Sequence, residues 1–199
     1  MKKTLAAIAL TLVSCASHAV PIASFTIDGN TWNQSFSITN NSDANEDLTR
    51  VFLDISPTHT LFDTVGSSSN AKAFTPRFAS DTTTGLVSPS TVDENSSILE
   101  MIFSDFNPGE TFFWDIDVDR VLGSVSVFGN DLVGSEVSFD FSNGQQVFGV
   151  LASVPHDHDA SRFHAMGVTD ITNAIPEPSS FALLFAGIIA MGYNTRRLR

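Results

Sequence analysis

The chain reads as all-β: an immunoglobulin-like antiparallel β-sandwich with an N-terminal signal helix and a C-terminal hydrophobic helix. Three observations predict this. Short apolar or alternating runs recur between clusters of Asn, Asp, Gly, Ser and Pro, the residues that punctuate strands. No stretch between the two ends sustains a helical period. Asn143-Gly144, flanked by alternating residues, is the strongest short hairpin signal, because a type I′ turn needs positive φ at both central positions.

The runs that predict strands are Ile22 to Ile27, Trp32 to Ile38, Leu48 to Ile55, Ile98 to Phe103, Thr111 to Val118, Ser124 to Phe128, Glu136 to Phe141, Val147 to Leu151 and His164 to Ile171. A two-residue loop at Asn143-Gly144 sets Phe139 opposite Phe148 and Val137 opposite Val150. That register puts Val137, Phe139, Phe141, Phe148 and Val150 on one face, with Ser138 and Asp140 on the other. One wet face per strand implies two packed layers. An up-and-down barrel is the alternative. Asp63 to Ser97, rich in Ser, Thr and Asn, is too long for an ordinary connection and is read as an irregular excursion.

Three segments follow: residues 1–19, a β domain over 20–172, and a tail over 173–199. Lys2 and Lys3 precede an apolar stretch from Leu5 to Val13, and Ser17-His18-Ala19 has the small-x-small form of a signal-peptidase site. Cleavage after Ala19 competes with a second reading. Leu12-Val13-Ser14-Cys15 also has the form of a lipobox, in which Cys15 would be acylated.

In the tail, Pro176-Glu177-Pro178 is followed by an apolar run from Phe181 to Met191 and then by Arg196, Arg197 and Arg199. From Phe181 to Tyr193 a helix would span roughly 20 Å at 1.5 Å per residue, short for a permanent anchor. The arginines would stay cytoplasmic and place the body outside. The two prolines hold the Glu177 site extended and outside the helix. This tail resembles the PEP-CTERM sorting signal of exported bacterial proteins. The resemblance implies removal by the membrane transpeptidase exosortase after transient residence in the inner membrane, and a final place in the cell envelope or extracellular matrix of a Gram-negative bacterium. The stretch Phe106 to Leu151 likewise resembles a β-rich segment of many such proteins, which supports the fold and supplies no active site.

Removing both ends leaves 5 basic and 21 acidic residues in the body, a net charge of −16. Such a surface repels nucleic acid and favours divalent cations or colloidal solubility. Cys15 is the only cysteine, so the exported body has no disulfide and rests on its core or on bound metal.

Candidate chemistry is sparse. Asp115, Asp117 and Asp119 on one strand would align three carboxylates on a face, a set that suits Ca²⁺, or else a solvated edge. It is not an EF-hand, since Arg120 stands where that loop needs Gly and Ser126 where it needs Glu. His156 and His158, at i and i+2, form a second candidate for a metal, zinc above all, or an exposed polar loop. Gly-x-Ser-x-Gly, His-Glu-x-x-His and phosphate-loop signatures are missing, so the chain is not read as an enzyme. The body has no Tyr, and its two Trp residues, Trp32 and Trp114, lie in strand-like runs. That weighs against stacking of sugars, although extracellular polysaccharide remains a partner class for a matrix protein. The reading is therefore a structural or adhesive exported domain, with a calcium- or glycan-binding module as the alternative and a secreted hydrolase as the remote one.

Overall fold

The computed structural model describes residues 21–33, 36–43, 45–65, 71–122 and 126–171. The expected signal segment, Cys15, Ala19 and the whole tail with Pro176, Glu177, Pro178, Arg196, Arg197 and Arg199 lie outside them. Among the described residues no helix is long and apolar enough to cross a membrane.

The body is mostly β. Its strands are β1 (Ala23–Asp28), β2 (Phe36–Asn40), β3 (Leu48–Asp54), β4 (Thr60–Phe62), β5 (Thr75–Arg77), β6 (Leu86–Ser88), β7 (Ile98–Phe103), β8 (Thr111–Asp115), β9 (Val118–Arg120), β10 (Glu136–Phe141), β11 (Gln145–Val154) and β12 (Asp157–Asp170). Among the described residues there are also one helical turn, α1 (Ser80–Thr83), and two 3-10 turns. Ten strands form one antiparallel sheet in the order β5-β8-β2-β1-β12-β11-β10-β3-β7-β6, and β4 pairs with β9 separately.

The sheet curls until its distant strands meet. Phe103 of β7 packs on Phe112 of β8 with ring centroids 5.2 Å apart, although six strands lie between them in the hydrogen-bonded order. Trp114 lies at the centre, 5.5 Å from Phe25, 5.2 Å from Phe36 and 5.4 Å from Phe112. Every one of these rings except Phe103, which keeps a sliver of surface, is 1% exposed or less. Such pairs add about 0.5–1.5 kcal/mol each beyond the burial of their area. The core of a disulfide-free body thus rests on Phe and Trp. Alternation explains the placement: β1 and β2 bury every second side chain.

Gly129 joins this frame to the 3-10 turn Gly129–Leu132. A Cβ there would stand 2.2 Å from the Ile27 carbonyl oxygen, so only glycine lets that backbone approach β1 and β12. Its N–H donates to the Gly29 carbonyl at 2.9 Å.

The hairpin at Asn143-Gly144 is real but its register is not the expected one. Only Gly144 has positive φ, +82°, and its N–H donates to the Phe141 carbonyl. The loop is therefore the three-residue kind, a turn closed by a left-handed glycine. Phe139 pairs with Val147, Ser138 with Phe148 and Val137 with Gly149. The slip of one residue turns Val147, Gly149 and Leu151 inward and leaves Phe148 41% exposed. Asp140 is buried rather than solvated, because it lies beneath Arg50 and Gln146: its carboxylate accepts from Arg50 Nη1 at 3.2 Å and from Gln146 Nε2 at 2.7 Å.

The excursion from Asp63 to Ser97 is partly ordered into β5, α1 and β6. Each strand there has three residues, too few for an alternating pattern to show. The expected strand at Ser124 to Phe128 falls partly outside the described residues, and its end contributes an isolated bridge from Phe128 to Asn30.

Candidate functional site

The aspartate triplet occupies the corner where β8 ends and β9 begins. The chain breaks from β8 after Asp115, so Asp115, Asp117 and Asp119 do not share one strand. The expectation of three aligned carboxylates is corrected on this point.

Asp115 is fully buried and already neutralised. Its Oδ2 meets Lys72 Nζ at 2.9 Å and Arg77 Nη1 at 2.6 Å. Lys72 also donates to the Trp32 carbonyl at 2.8 Å and lies over the Trp32 ring. A carboxylate with two cations on it is a structural ion-pair centre, which ties the 71–77 segment to β8.

Asp117 has the opposite surroundings. It is 6% exposed, and two carboxylates, Asp119 and Asp63, act on it against the single cation Lys72. Burial first, then repulsion by Asp119 and Asp63, pushes its carboxyl up to about 6, against the pull of the Val118 N–H and of Lys72. The Val118 N–H donates to Asp117 Oδ1 at 3.0 Å. Asp63 is raised as well, by burial and by Glu94 and Asp119. The backbone explains the crowding: the Asp63 N–H donates to the Asp117 carbonyl, the Asp117 N–H to the Lys72 carbonyl, and the Lys72 N–H to the Asp63 carbonyl.

Asp63, Glu94, Asp119 and Arg120 line a groove of about 360 Å³ beside β4 and β9. Glu94 is committed there. Its Oε2 accepts from the N–H groups of Thr64 and Val65 at 2.7 and 2.8 Å. Burial opposes ionisation of Glu94, but these amides outweigh it and hold the carboxyl below its usual range. Arg120 is spent on Asp131 at 2.7 Å. Asp63, Glu94 and the Lys72-Arg77 pair come from the excursion, far from the triplet in sequence. Only the chain's turn toward β8, invisible to local pattern, brings them in.

His156 and His158 do not form a pair on one strand face. Pro155 and His156 make the turn between β11 and β12, with His156 at φ +66°, the Pro-then-left-handed order of a type II turn. His158 is the second residue of β12, and both are exposed. His164 lies farther along the same strand, also exposed. Among the described residues no group of three or more His, Cys, Asp or Glu is arranged to hold a metal ion. The triplet and the histidine pair are thus set apart by geometry: Asp115 by its cations, His156 by the turn.

Comparison with models of known protein families, with curated proteins and with solved structures finds no match.

Proposed function

We propose that the chain is an exported protein whose tail is a PEP-CTERM sorting signal, removed by an exosortase, and whose body is a structural or adhesive part of the cell envelope or extracellular matrix. The observation that carries this reading is the order Pro176-Glu177-Pro178, apolar run from Phe181, then Arg196, Arg197 and Arg199. A processing motif just outside a short membrane segment with basic residues beyond it is what such an enzyme needs. The other end agrees, since Lys2, Lys3 and the stretch to Ala19 have the layout of a signal peptide, or of a lipoprotein signal ending at Cys15. Signal peptidase and the inner membrane are then transient partners.

The body suits a passive role. We read the curled sheet as the two layers of an immunoglobulin-like sandwich, because Phe103 of one half packs on Phe112 of the other, which stacks in turn on Trp114. Its fully buried carboxylate, Asp115, is held by Lys72 and Arg77 and serves the fold. The net charge of −16 keeps it off nucleic acid and soluble among acidic polymers, and extracellular polysaccharide is the partner class that fits a matrix setting.

Replacing Pro176, Glu177 and Pro178 by Ala tests the reading. The variant should keep its tail and accumulate in the membrane fraction, while the wild type leaves it. Equal distribution of the two proteins would overturn the proposal.

A further inference from the structure

Strand β12 is long, 14 residues, and only its first part is enclosed. It pairs with β1 through Ala160, Ser161 and Arg162, and with β11 on its other side through Asp170. Past Arg162, β1 turns away along β2, whose ladder covers Ala23 to Ile27. Among the described residues, no strand therefore pairs with the outer edge of β12 from Phe163 to Asp170, and no loop donates to it or accepts from it. A row of backbone N–H and C=O groups on that side is left for another strand.

The other edges of the sheet are blunted. Strands β5 and β6 have three residues each; β5 contains Pro76, which has no N–H to offer, and Pro89 follows β6. The β12 edge is neither short nor interrupted by proline, and its one irregularity is the register shift between Phe148 and Gly149, which leaves Met166 without a partner on β11. It contains no Pro, Lys, Arg or Glu, and it presents Met166 at 67% and Val168 at 42% exposure. The outer sheet face beside it carries a mainly apolar groove of about 400 Å³, lined by Phe52, Ser138, Phe148, Val150 and Met166 with Glu136 as its one charged side chain. The Phe148 ring reaches over Gly167, where a Cβ would stand 2.7 Å from it, so groove and edge are one surface.

We infer that this edge is an interface, and that its occupant is a second copy of the chain paired antiparallel along β12. A strand is complementary to itself in that orientation. Pairing centred near Gly167 makes the apolar grooves of the two copies continuous across the two-fold axis. It also sets the His164 end of each strand beside the Asp170 end of the other, so the two carboxylates fall at opposite ends and neither opposes its own kind. The isologous geometry closes at a dimer. Because each body is strongly acidic, long-range repulsion opposes association, and the dimer strengthens as salt screens it. The inference stands on the ladder and does not depend on the sorting of the tail.

Cross-linking of the full-length chain tests it. Met166→Cys, in a Cys15→Ala background, is co-expressed as two differently tagged copies and treated with a short bismaleimide; Ser90→Cys, on an exposed loop, is the control. A covalent pair containing both tags should form at Met166→Cys, increase with salt, and be absent from Ser90→Cys. Adding Val168→Lys, a charge on the edge, should abolish the cross-link without lowering the melting temperature. Cross-links of equal yield at both sites, a Met166→Cys product linked only to another protein, or a yield indifferent to Val168→Lys would each overturn the inference.

Discussion

Asp115 and Asp117 are separated by one residue and carry opposite energetic signs. Asp115 is held by Lys72 and Arg77, so Asp115→Asn would leave two half-buried cations facing a site without charge and should cost about 3 kcal/mol or more. Asp117 is destabilising when ionised. Its folded-state pKa, about 6, lies above the unfolded value of about 3.9, so the folded state binds the extra proton between those limits and loses stability as pH rises through them. Asp117→Asn keeps the acceptor for the Val118 N–H and removes the charge. It should stabilise the protein by about 1 to 2 kcal/mol at pH 7.5, less than the whole shift because the neighbouring groove is open to solvent. The gain should vanish at pH 4 and below. Urea unfolding at the two pH values checks both variants, and destabilisation by Asp117→Asn at pH 7.5 would contradict the assignment. The carboxylates themselves were legible in the sequence, as was their mutual repulsion. What Asp115 meets was not, because Lys72 and Arg77 enter from an excursion with no periodic signal.

At the scale of elements, the β10-β11 hairpin is the sharpest comparison of pattern with structure. Asn143-Gly144 located the turn, and Glu136 to Phe141, which alternates, and Ile98 to Phe103, a short and mostly apolar run, read as strands to the residue. The loop length was not legible. Asn-Gly serves a two-residue or a three-residue loop, and the two registers differ by one residue. In the observed one Val147 is core and Phe148 is half out. Val147→Ala should therefore cost about 2 kcal/mol and Phe148→Ser under about 1, the reverse of their sizes. Phe139→Ala should cost on the order of 3 to 5 kcal/mol, since its ring is fully buried and packs edge-on to Phe163 at 4.9 Å. Asp140→Ala should cost about 1 to 3 kcal/mol through the loss of its bonds to Arg50 and Gln146. A larger loss at Phe148 than at Val147 would restore the two-residue loop. Strands β4, β5 and β6, at three residues each, gave no period to read, and they are formed by the partners they meet.

The whole molecule is a curled, acidic sheet closed by aromatic packing and flanked by two ends of different character. The curl was predictable in kind, since strands with one apolar face must cover it. Its continuity was not, because nothing in the local pattern shows that β12 is long enough to join β1 on one side to β11 on the other. Charge acts at this scale too. Calcium and magnesium at matched ionic strength should raise the melting temperature equally, because the effect is screening of a −16 body rather than filling of a site. A shift with Ca²⁺ alone would return the Asp117 and Asp119 corner to the role of a calcium centre. The claim on which the functional account turns is that both ends are removed on the way out of the cell. The intact mass of the wild-type protein recovered from outside the inner membrane measures this most directly. The account predicts a chain that starts at Val20, or at an acylated Cys15, and lacks the apolar run from Phe181 onward. A mass that still includes Arg196, Arg197 and Arg199 would contradict it.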